Sequence, residues 1–339
     1  MFQHHVFGVD MGTGTVKIYD GENDAITKER NMIAVREKDT VFAVGNEAYE
    51  MYGRTPQNVD IIKPISNGRI NDVLMMEAVL HTLLRRCSEN AGYSPVLYFS
   101  VPMDMTEIER RAYSTIARKG RFRRARVLMV EKPIADAIAL KIPIYHTPGT
   151  MLINMGAEST EISIIADKRV IISQVIPIGG AHFTDAIAAG VRKKNNLYIS
   201  HRTAQRLKFT LTDLGSDIGE GCKVFGIDAE NALPRNGIIS NYTVSKSVSD
   251  VMLNVAEQIK RILERIPPQI RVNVQEEGIF LTGGSTHIPG IDEYLAGYLE
   301  CPVKVSQYYE LSTISGLKEI IKHTEMQHWA TTPGKSKGI

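Results

Sequence analysis

The stretch LINMGAESTEISII, residues 152–165, reads as strand, tight turn, strand. Gly156, Ala157, Ser159 and Thr160 gather small and hydroxyl-bearing residues where backbone N–H groups can cradle a phosphate. Glu158 sits inside the same turn, and its carboxylate would repel that phosphate. An earlier stretch, FGVDMGTGTVKIY at 7–19, repeats the pattern. Setting Asp10 against Asn154, an offset of 154 − 10 = 144, brings Val9 to Ile153, Met11 to Met155, Gly12 to Gly156, Thr15 to Ser159 and Ile18 to Ile162. One such hairpin near the start of each half points to a duplicated domain. Two hairpins facing each other would form a cleft. A third Gly-rich turn lies in GIFLTGGSTHIPGIDEYLAGYL, 278–299. Gly283 and Gly284 follow a short apolar strand there and would let the backbone approach a flat ligand. A helix is expected from about Ile291.

The remaining chain reads as mixed α/β. NDVLMMEAVLHTLLRRC carries Val73, Met76, Leu80, Leu83 and Leu84 at helical spacing. PVLYFSVP is a buried strand. TEIERRAYSTIARKG is a helix capped by Thr106, with Glu109 at the capping-box offset. ARVLMVEKPIADAIAL runs from strand into a helix with Pro133 in its first turn. SVSDVMLNVAEQIKRILERI, 247–266, is a long amphipathic helix that Pro267 and Pro268 end. The tail beyond Lys322 is polar apart from Trp329 and is expected to be loose.

The bulk numbers fit a two-domain globular protein. There are 339 residues, 43% apolar and 23% charged. A net charge of +2 does not announce nucleic acid or a membrane surface. Cys87, Cys222 and Cys301 are odd in number and lack metal-site spacing, so a reducing cytoplasm is expected. No apolar run approaches the roughly 20 residues of a membrane helix, and the first ten residues do not read as a signal peptide. His4 and His5 read as exposed terminal residues rather than ligands.

These motifs, taken in order, resemble the MreB branch of the actin-like ATPase superfamily. The resemblance runs from about Phe7 to Lys318. It rests on GVDMGTGT (8–15), GRTPQNVDIIKPISNGRIND (53–72), VPMDMTEIERRAY (101–113) and EKPIADAIA (131–139). INMGAESTEISII (153–165), IPIGGAHFTDAI (176–187), RTAQRLK (202–208) and GIFLTGGS (278–285) complete it. The resemblance implies an actin-like ATPase fold of class α/β. It has two duplicated domains around a nucleotide cleft, each with a smaller subdomain. Domain I would cover 1–148 with a return at 319–339 and its subdomain near 30–75. Domain II would cover 149–318 with its subdomain near 187–242.

The resemblance also assigns a site for ATP and Mg²⁺. Asp10 would hold the metal through water, since hard cations take oxygen ligands. Gly12, Thr13, Gly14 and Thr15 would meet the phosphates from one side. Asn154, Gly156, Ala157, Glu158 and Ser159 would meet them from the other. Gly283, Gly284, Ser285 and Thr286 would border the adenosine, with Gln205 and Lys208 on the base side. Several positions depart from the family. Its second loop is Asp-x-Gly-Gly-Gly-Thr, so Asn154 lacks a carboxylate, Ala157 resists a positive φ, and Glu158 adds a negative charge. The family's water-orienting Glu before the proline is here Lys132, with Glu131 one residue earlier as a substitute. An ammonium cannot accept the proton of an attacking water. No catalytic set is intact, although Ser159 keeps its hydroxyl, and hydrolysis at family-like rates is not expected. Thr210 replaces a ribose-binding Glu, and Ala181 replaces a common Asp. Lys132 and Glu158, one acid lost and one gained, are expected to form an ion pair.

The implied function is that of a filament-forming cytoskeletal protein at the inner face of the bacterial cell membrane. It would help determine cell shape by organising peptidoglycan synthesis. Implied partners are copies of itself, an intact MreB paralogue and membrane proteins of the RodZ and MreC type. The alternative is a non-hydrolysing actin-fold scaffold, or a co-polymerising paralogue, regulated by partners. A small-molecule kinase is disfavoured because the segments outside the Gly turns match MreB. ARKGRFRRARV carries six basic residues, Arg118, Lys119, Arg121, Arg123, Arg124 and Arg126. They form either a solvated helix end or a contact for anionic lipid or an acidic partner. Nucleic acid is not expected, because Phe122 is the one interleaved aromatic. Direct insertion into lipid is not expected, since the loop SENAGYSPV offers only Tyr93.

Overall fold

The computed structural model describes residues 5–37, 40–53, 55, 58–88, 94–215 and 219–334. His4 and the loop segment with Tyr93 lie outside them. The chain divides into two compact units, Met1–Ile144 with Leu311–Ile339 (unit 1) and Tyr145–Glu310 (unit 2).

Unit 1 begins with β1 (Val6–Met11), β2 (Thr15–Asp20), β3 (Ala25–Arg30), β4 (Ile33–Arg36) and β5 (Thr40–Val44). It continues through α1 (Asn46–Met51), β6 (Val59–Ile62), β7 (Ile65–Ser66), β8 (Arg69–Ile70) and α2 (Val73–Cys87). Then come β9 (Val96–Val101), α3 (Glu107–Ala117), β10 (Arg126–Glu131) and α4 (Lys132–Ala139). Its main sheet has the order β10-β9-β1-β2-β3. The pairs β1–β2 and β2–β3 are antiparallel, while β1–β9 and β9–β10 are parallel. A smaller sheet, β5-β4-β6, stands apart from it.

Unit 2 carries β11 (Thr150–Met155), β12 (Thr160–Ala166), β13 (Arg169–Ile176), α5 (Gly180–Asn195), β14 (Leu197–Tyr198) and α6 (His201–Thr210). It goes on with β15 (Gly221–Asp228), β16 (Pro234–Ser240), α7 (Asn241–Arg265), α8 (Pro268–Glu277), β17 (Ile279–Thr282), α9 (Ile291–Leu299) and β18 (Val303–Val305). Its main sheet is β13-β12-β11-β17-β18, and β14-β15-β16 forms the smaller one. The sequence of antiparallel and parallel pairings matches that of unit 1 strand for strand. The duplication expected from the two hairpins is therefore a duplication of a whole sheet.

Alternation along the strands sets the layers of unit 1. Phe7, Val9 and Met11 on β1 join one core cluster with Met76, Val79, Leu80, Leu83 and Leu84 of α2 and with Tyr113 of α3. Gly8 points the other way. A Cβ there would stand 3.2 Å from Ile321 and 3.4 Å from Leu317, side chains of the last helix, α10 (Ser312–Lys322). Asp10, two residues on, shares that second face. Because α10 as a whole belongs to unit 1, the return begins at Leu311 rather than at 319.

The helix signals are met by side-chain bonds. The Thr106 hydroxyl accepts from Glu109 N at 3.3 Å, and the Glu109 carboxylate accepts from Thr106 N at 2.7 Å. Pro133 lies in the first turn of α4. Other expectations need correction. Val73 opens α2 but is 37% exposed and lies off the buried stripe. The long helix starts at Asn241, six residues early, because Ser240 caps it at Thr243 N. The polar residues Asn241 and Thr243 are buried and hid this start. Pro268 does not merely end that helix; it opens α8, where a missing N–H costs nothing. The tail is not loose up to Thr331. Residues Thr324–Trp329 form a 3₁₀ helix, and Thr331 and Met129 exchange backbone hydrogen bonds at 2.8 Å. His5 is not an exposed terminal residue either, since its side chain is 8% exposed and pairs with Glu22.

Candidate nucleotide-binding site

In unit 1 the turn between β1 and β2 is closed by Gly12 N donating to Thr15 O at 3.0 Å. A Cβ at Gly12 would meet that same oxygen at 2.9 Å, so the tightness of the turn selects glycine. Asn31 braces the turn through Nδ2, which donates to Gly12 O at 2.9 Å, and its own N–H donates to Gly14 O at 3.2 Å. The Thr13 hydroxyl accepts from Gly68 N at 3.1 Å. Thr13, Gly14 and Thr15 stay partly exposed.

Directly before the turn lies a charged cluster. Asp10 is 2% exposed. Its Oδ2 accepts from Lys17 Nζ at 2.8 Å, and its Oδ1 accepts from the Ser100 hydroxyl at 2.7 Å. Lys132 Nζ stands 3.7 Å from Oδ1. Burial pushes the Asp10 carboxyl up, but Lys17, Lys132 and the two hydrogen bonds outweigh it and hold the group well below the ordinary carboxylate range. Lys17 and Ser100 had no place in the sequence reading. The available signal was a lysine between the apolar residues Val16 and Ile18 of β2, directly across the β1–β2 ladder from Asp10.

The Mg²⁺ assigned to Asp10 does not fit these surroundings. Both carboxylate oxygens already accept a hydrogen bond, and two ammonium groups stand within ion-pair reach. A dication brought there would face both. Among the described residues, no group of three or more His, Cys, Asp or Glu is arranged to hold a metal.

In unit 2 the turn between β11 and β12 is closed in the same way, by Gly156 N donating to Ser159 O at 2.8 Å. The start of α5 docks on it. Gly180 N donates to Gly156 O at 3.0 Å, and Ala181 N donates to Ala157 O at 2.7 Å. The strain expected at Ala157 does not arise, because Ala157 is not among the residues with positive φ. Lys208 on α6 is 3% exposed and donates to Gly180 O at 2.7 Å and to the Thr184 hydroxyl at 3.1 Å. It thus ties α6 to α5. Gln205 lies one turn earlier on α6, half-buried.

The third Gly turn packs on the second. Gly283 has φ +94, and a Cβ there would meet Met155 O at 2.5 Å. Ser285 Oγ donates to Gly156 O at 2.9 Å, and Thr286 Oγ1 donates to Gly283 O at 2.7 Å. Gly284 lies beside Glu310, whose Cβ is 3.6 Å from the place of a Gly284 Cβ. His287, outside the sequence reading, stacks on Tyr309 with ring centroids 4.0 Å apart and pairs with Glu310 at 2.5 Å. Unit 2 therefore brings together Gly156–Ser159, Lys208 and Gly283–Thr286, as unit 1 brings together Asp10, Lys132 and Gly12–Thr15.

Comparison with known proteins identifies the family of the chain. The family model for MreB/Mbl protein matches residues 4–328. The cell shape-determining protein MreB of Escherichia coli (strain K12) is 28% identical over 308 residues, covering 88% of each chain. The cell shape-determining protein Mbl of Bacillus subtilis (strain 168) is 28% identical over 303 residues, covering 88% of this chain and 90% of its own. Among solved structures, MreB5 of Spiroplasma citri bound to ADP superposes with a TM-score of 0.89 at 24% identity, over 96% of this chain and 98% of its own. The MamK double helical filament gives a TM-score of 0.77 at 16% identity, over 95% of this chain and 99% of its own. With an actin-like α/β fold and a family match along nearly its whole length, the chain belongs to the MreB/Mbl family.

Proposed function

We propose that this chain is an MreB-type cytoskeletal protein that assembles with copies of itself, binds ATP and contributes to cell shape. The observation that carries the reading is the pair of matching sheets, each presenting a closed glycine turn, in a chain of the MreB/Mbl family. The structural neighbours bound to ADP and AMPPNP support a nucleotide as ligand. Hydrolysis at family rates is not part of the proposal. The residue at the water-orienting position is Lys132, and its ammonium already faces a carboxylate.

The purified chain should pellet on ultracentrifugation above a critical concentration and bind ATP, with turnover far below that of an MreB carrying the family's Glu. A chain that stays in the supernatant under all nucleotide conditions would refute self-assembly. A second reading, the partner-regulated scaffold, is favoured by the same Lys132–Asp10 contact. It predicts equal pelleting with and without nucleotide.

Work at the inner membrane face, on peptidoglycan synthesis and with partners of the RodZ and MreC type belongs to this proposal too. No helix among the described residues is long and apolar enough to cross a membrane. Contact would fall to the basic segment, whose charges differ in availability. Lys119 pairs with Glu77 at 2.7 Å, and Arg118 Nε donates to Ala125 O at 3.1 Å. Arg121, Arg123, Arg124 and Arg126 are exposed around the buried Phe122. Changing Arg121, Arg123 and Arg124 together to Glu should weaken binding to anionic vesicles. Added salt should weaken parent binding, since exposed charges are screened over about 8–10 Å. Equal vesicle binding by parent and variant would remove the lipid contact.

A further inference from the structure

The smaller sheet of unit 2, β14-β15-β16, has two unlike faces. Alternation along the strands sends Leu197, Val224 and Ile239 into the core of the unit. The intervening positions of β15 and β16 are Lys223, Phe225, Ile227, Pro234, Asn236 and Ile238, all exposed. The ladder sets Lys223 opposite Ile238, Phe225 opposite Asn236 and Ile227 opposite Pro234, so the six share one face. Tyr198 joins them from the edge strand β14, opposite Ile227. Ile238 is 72% exposed, Phe225 64%, Ile227 48% and Tyr198 43%. The solvent side of an antiparallel sheet ordinarily carries polar residues. Here large apolar side chains hold it, and a contiguous patch of that kind marks a contact surface.

The charges on and beside this face are positive. Lys223 stands on it, and the exposed Arg192, Lys193 and Lys194 end α5 just before β14. The Arg192 guanidinium covers the Tyr198 ring at 4.6 Å. The acids in sequence nearest to β15 lie at the ends of the hairpin instead. Glu220 precedes β15, and Asp228 and Glu230 lie toward the turn into β16. Asp228 accepts from Arg235 Nε, and Glu230 accepts from Asn196 Nδ2, both at 2.6 Å. A single sheet face presents no groove of the kind that holds a partner helix. Apolar side chains flanked by cations and a tyrosine match a bilayer of anionic lipid, which sets an apolar layer beneath negative headgroups. Resting on the membrane reading above, we propose that the outer face of β14-β15-β16 docks on an anionic lipid surface, with Phe225 and Ile238 entering its apolar layer. This adds a contact in unit 2 to the basic segment of unit 1, whose exposed residues offer charge alone.

The test uses co-sedimentation with vesicles of phosphatidylglycerol and phosphatidylcholine. Phe225→Gln together with Ile238→Gln should weaken vesicle binding by about tenfold or more. The weakening should persist in high salt, where the contribution of exposed charge is screened. Both positions are exposed, so the double variant should keep its fold. In a second measurement, Phe225→Trp should be quenched by lipids brominated along their acyl chains, beyond the quenching of the parent, whose single tryptophan is Trp329. No vesicle binding by the parent overturns this contact together with the membrane reading. Where the parent does bind, equal binding by the double variant or an unquenched Phe225→Trp overturns the contact alone and leaves the basic segment as the site. An unquenched Phe225→Trp, with pelleting of the double variant lost in the absence of vesicles, assigns the face to a second copy of the chain instead.

Discussion

Asp10→Ala is expected to destabilise unit 1 by about 3–5 kcal/mol, because it leaves the Lys17 ammonium buried without its counter-charge. Lys17 is 7% exposed and bonds to Asp10 across adjacent strands of the main sheet. The loss should show as a lower midpoint in urea unfolding. Adding Lys17→Met should recover much of it, since removing both charges removes the desolvation problem. A single variant costing under about 1 kcal/mol would mean that water reaches Lys17. The sign of the pH dependence follows from the depressed Asp10 carboxyl. Its contribution is complete above the unfolded value near 3.9 and is lost as pH falls through the lower folded value. The gap between parent and Asp10→Ala should therefore be constant near neutrality and narrow below about pH 4. It also follows that Asp10→Ala is a poor probe of ligand binding, because it removes structure along with any ligand contact.

The two glycine turns were legible because their chemistry is local. A turn closed by Gly12 N on Thr15 O, or by Gly156 N on Ser159 O, needs only residues adjacent in the chain. The same holds for the Thr106–Glu109 capping box. What surrounds the turns was not legible, because it comes from far away. Ser100 reaches Asp10 from β9, Gly68 reaches Thr13 from the turn after β7, and Tyr309 reaches His287 from beyond β18. No spacing rule links such positions. The Ala157 misreading had another cause. The family has three glycines there, but this turn is held by bonds from Gly180 and Ala181 and takes no left-handed residue at Ala157.

The duplication makes the electrostatic difference between the units plain. Asp10 faces Lys17 across the β1–β2 ladder, and Asn154 faces Glu161 at the same rung of β11–β12. The offset of 161 − 17 = 144 is that of the glycine turns. An acid–base pair in one unit is an amide–acid pair in the other. Unit 1 thus concentrates cationic groups at its turn, while unit 2 offers Glu158 and Glu161 near its own.

Gly316→Ala should lower stability despite the gain in helix propensity. On propensity alone, Ala in a helix interior is better than Gly by about 1 kcal/mol. Gly316, however, lies in α10 where that helix crosses α4. A Cβ there would overlap the Ala135 carbonyl oxygen and stand 2.5 Å from its carbonyl carbon and 2.9 Å from its Cα. These are backbone atoms of a fully buried residue, so no side chain can swing aside. The helices are also joined by Thr313 Oγ1 donating to Asp136 Oδ1 at 2.7 Å, which opposes their separation. Overpacking of this kind costs about 1–3 kcal/mol, and more where backbone must move. The net expectation is a loss of about 2 kcal/mol or more, or roughly 4–8 °C in melting temperature. Gly316→Val should lose more. An Ala variant as stable as the parent would show that α4 and α10 slide apart freely. The substitution also reaches the candidate site. Lys132 is the first residue of α4, and its ammonium stands 3.7 Å from Asp10 on β1. Pushing α4 outward at Ala135 draws Lys132 away from Asp10 and loosens that contact in a folded Gly316→Ala chain.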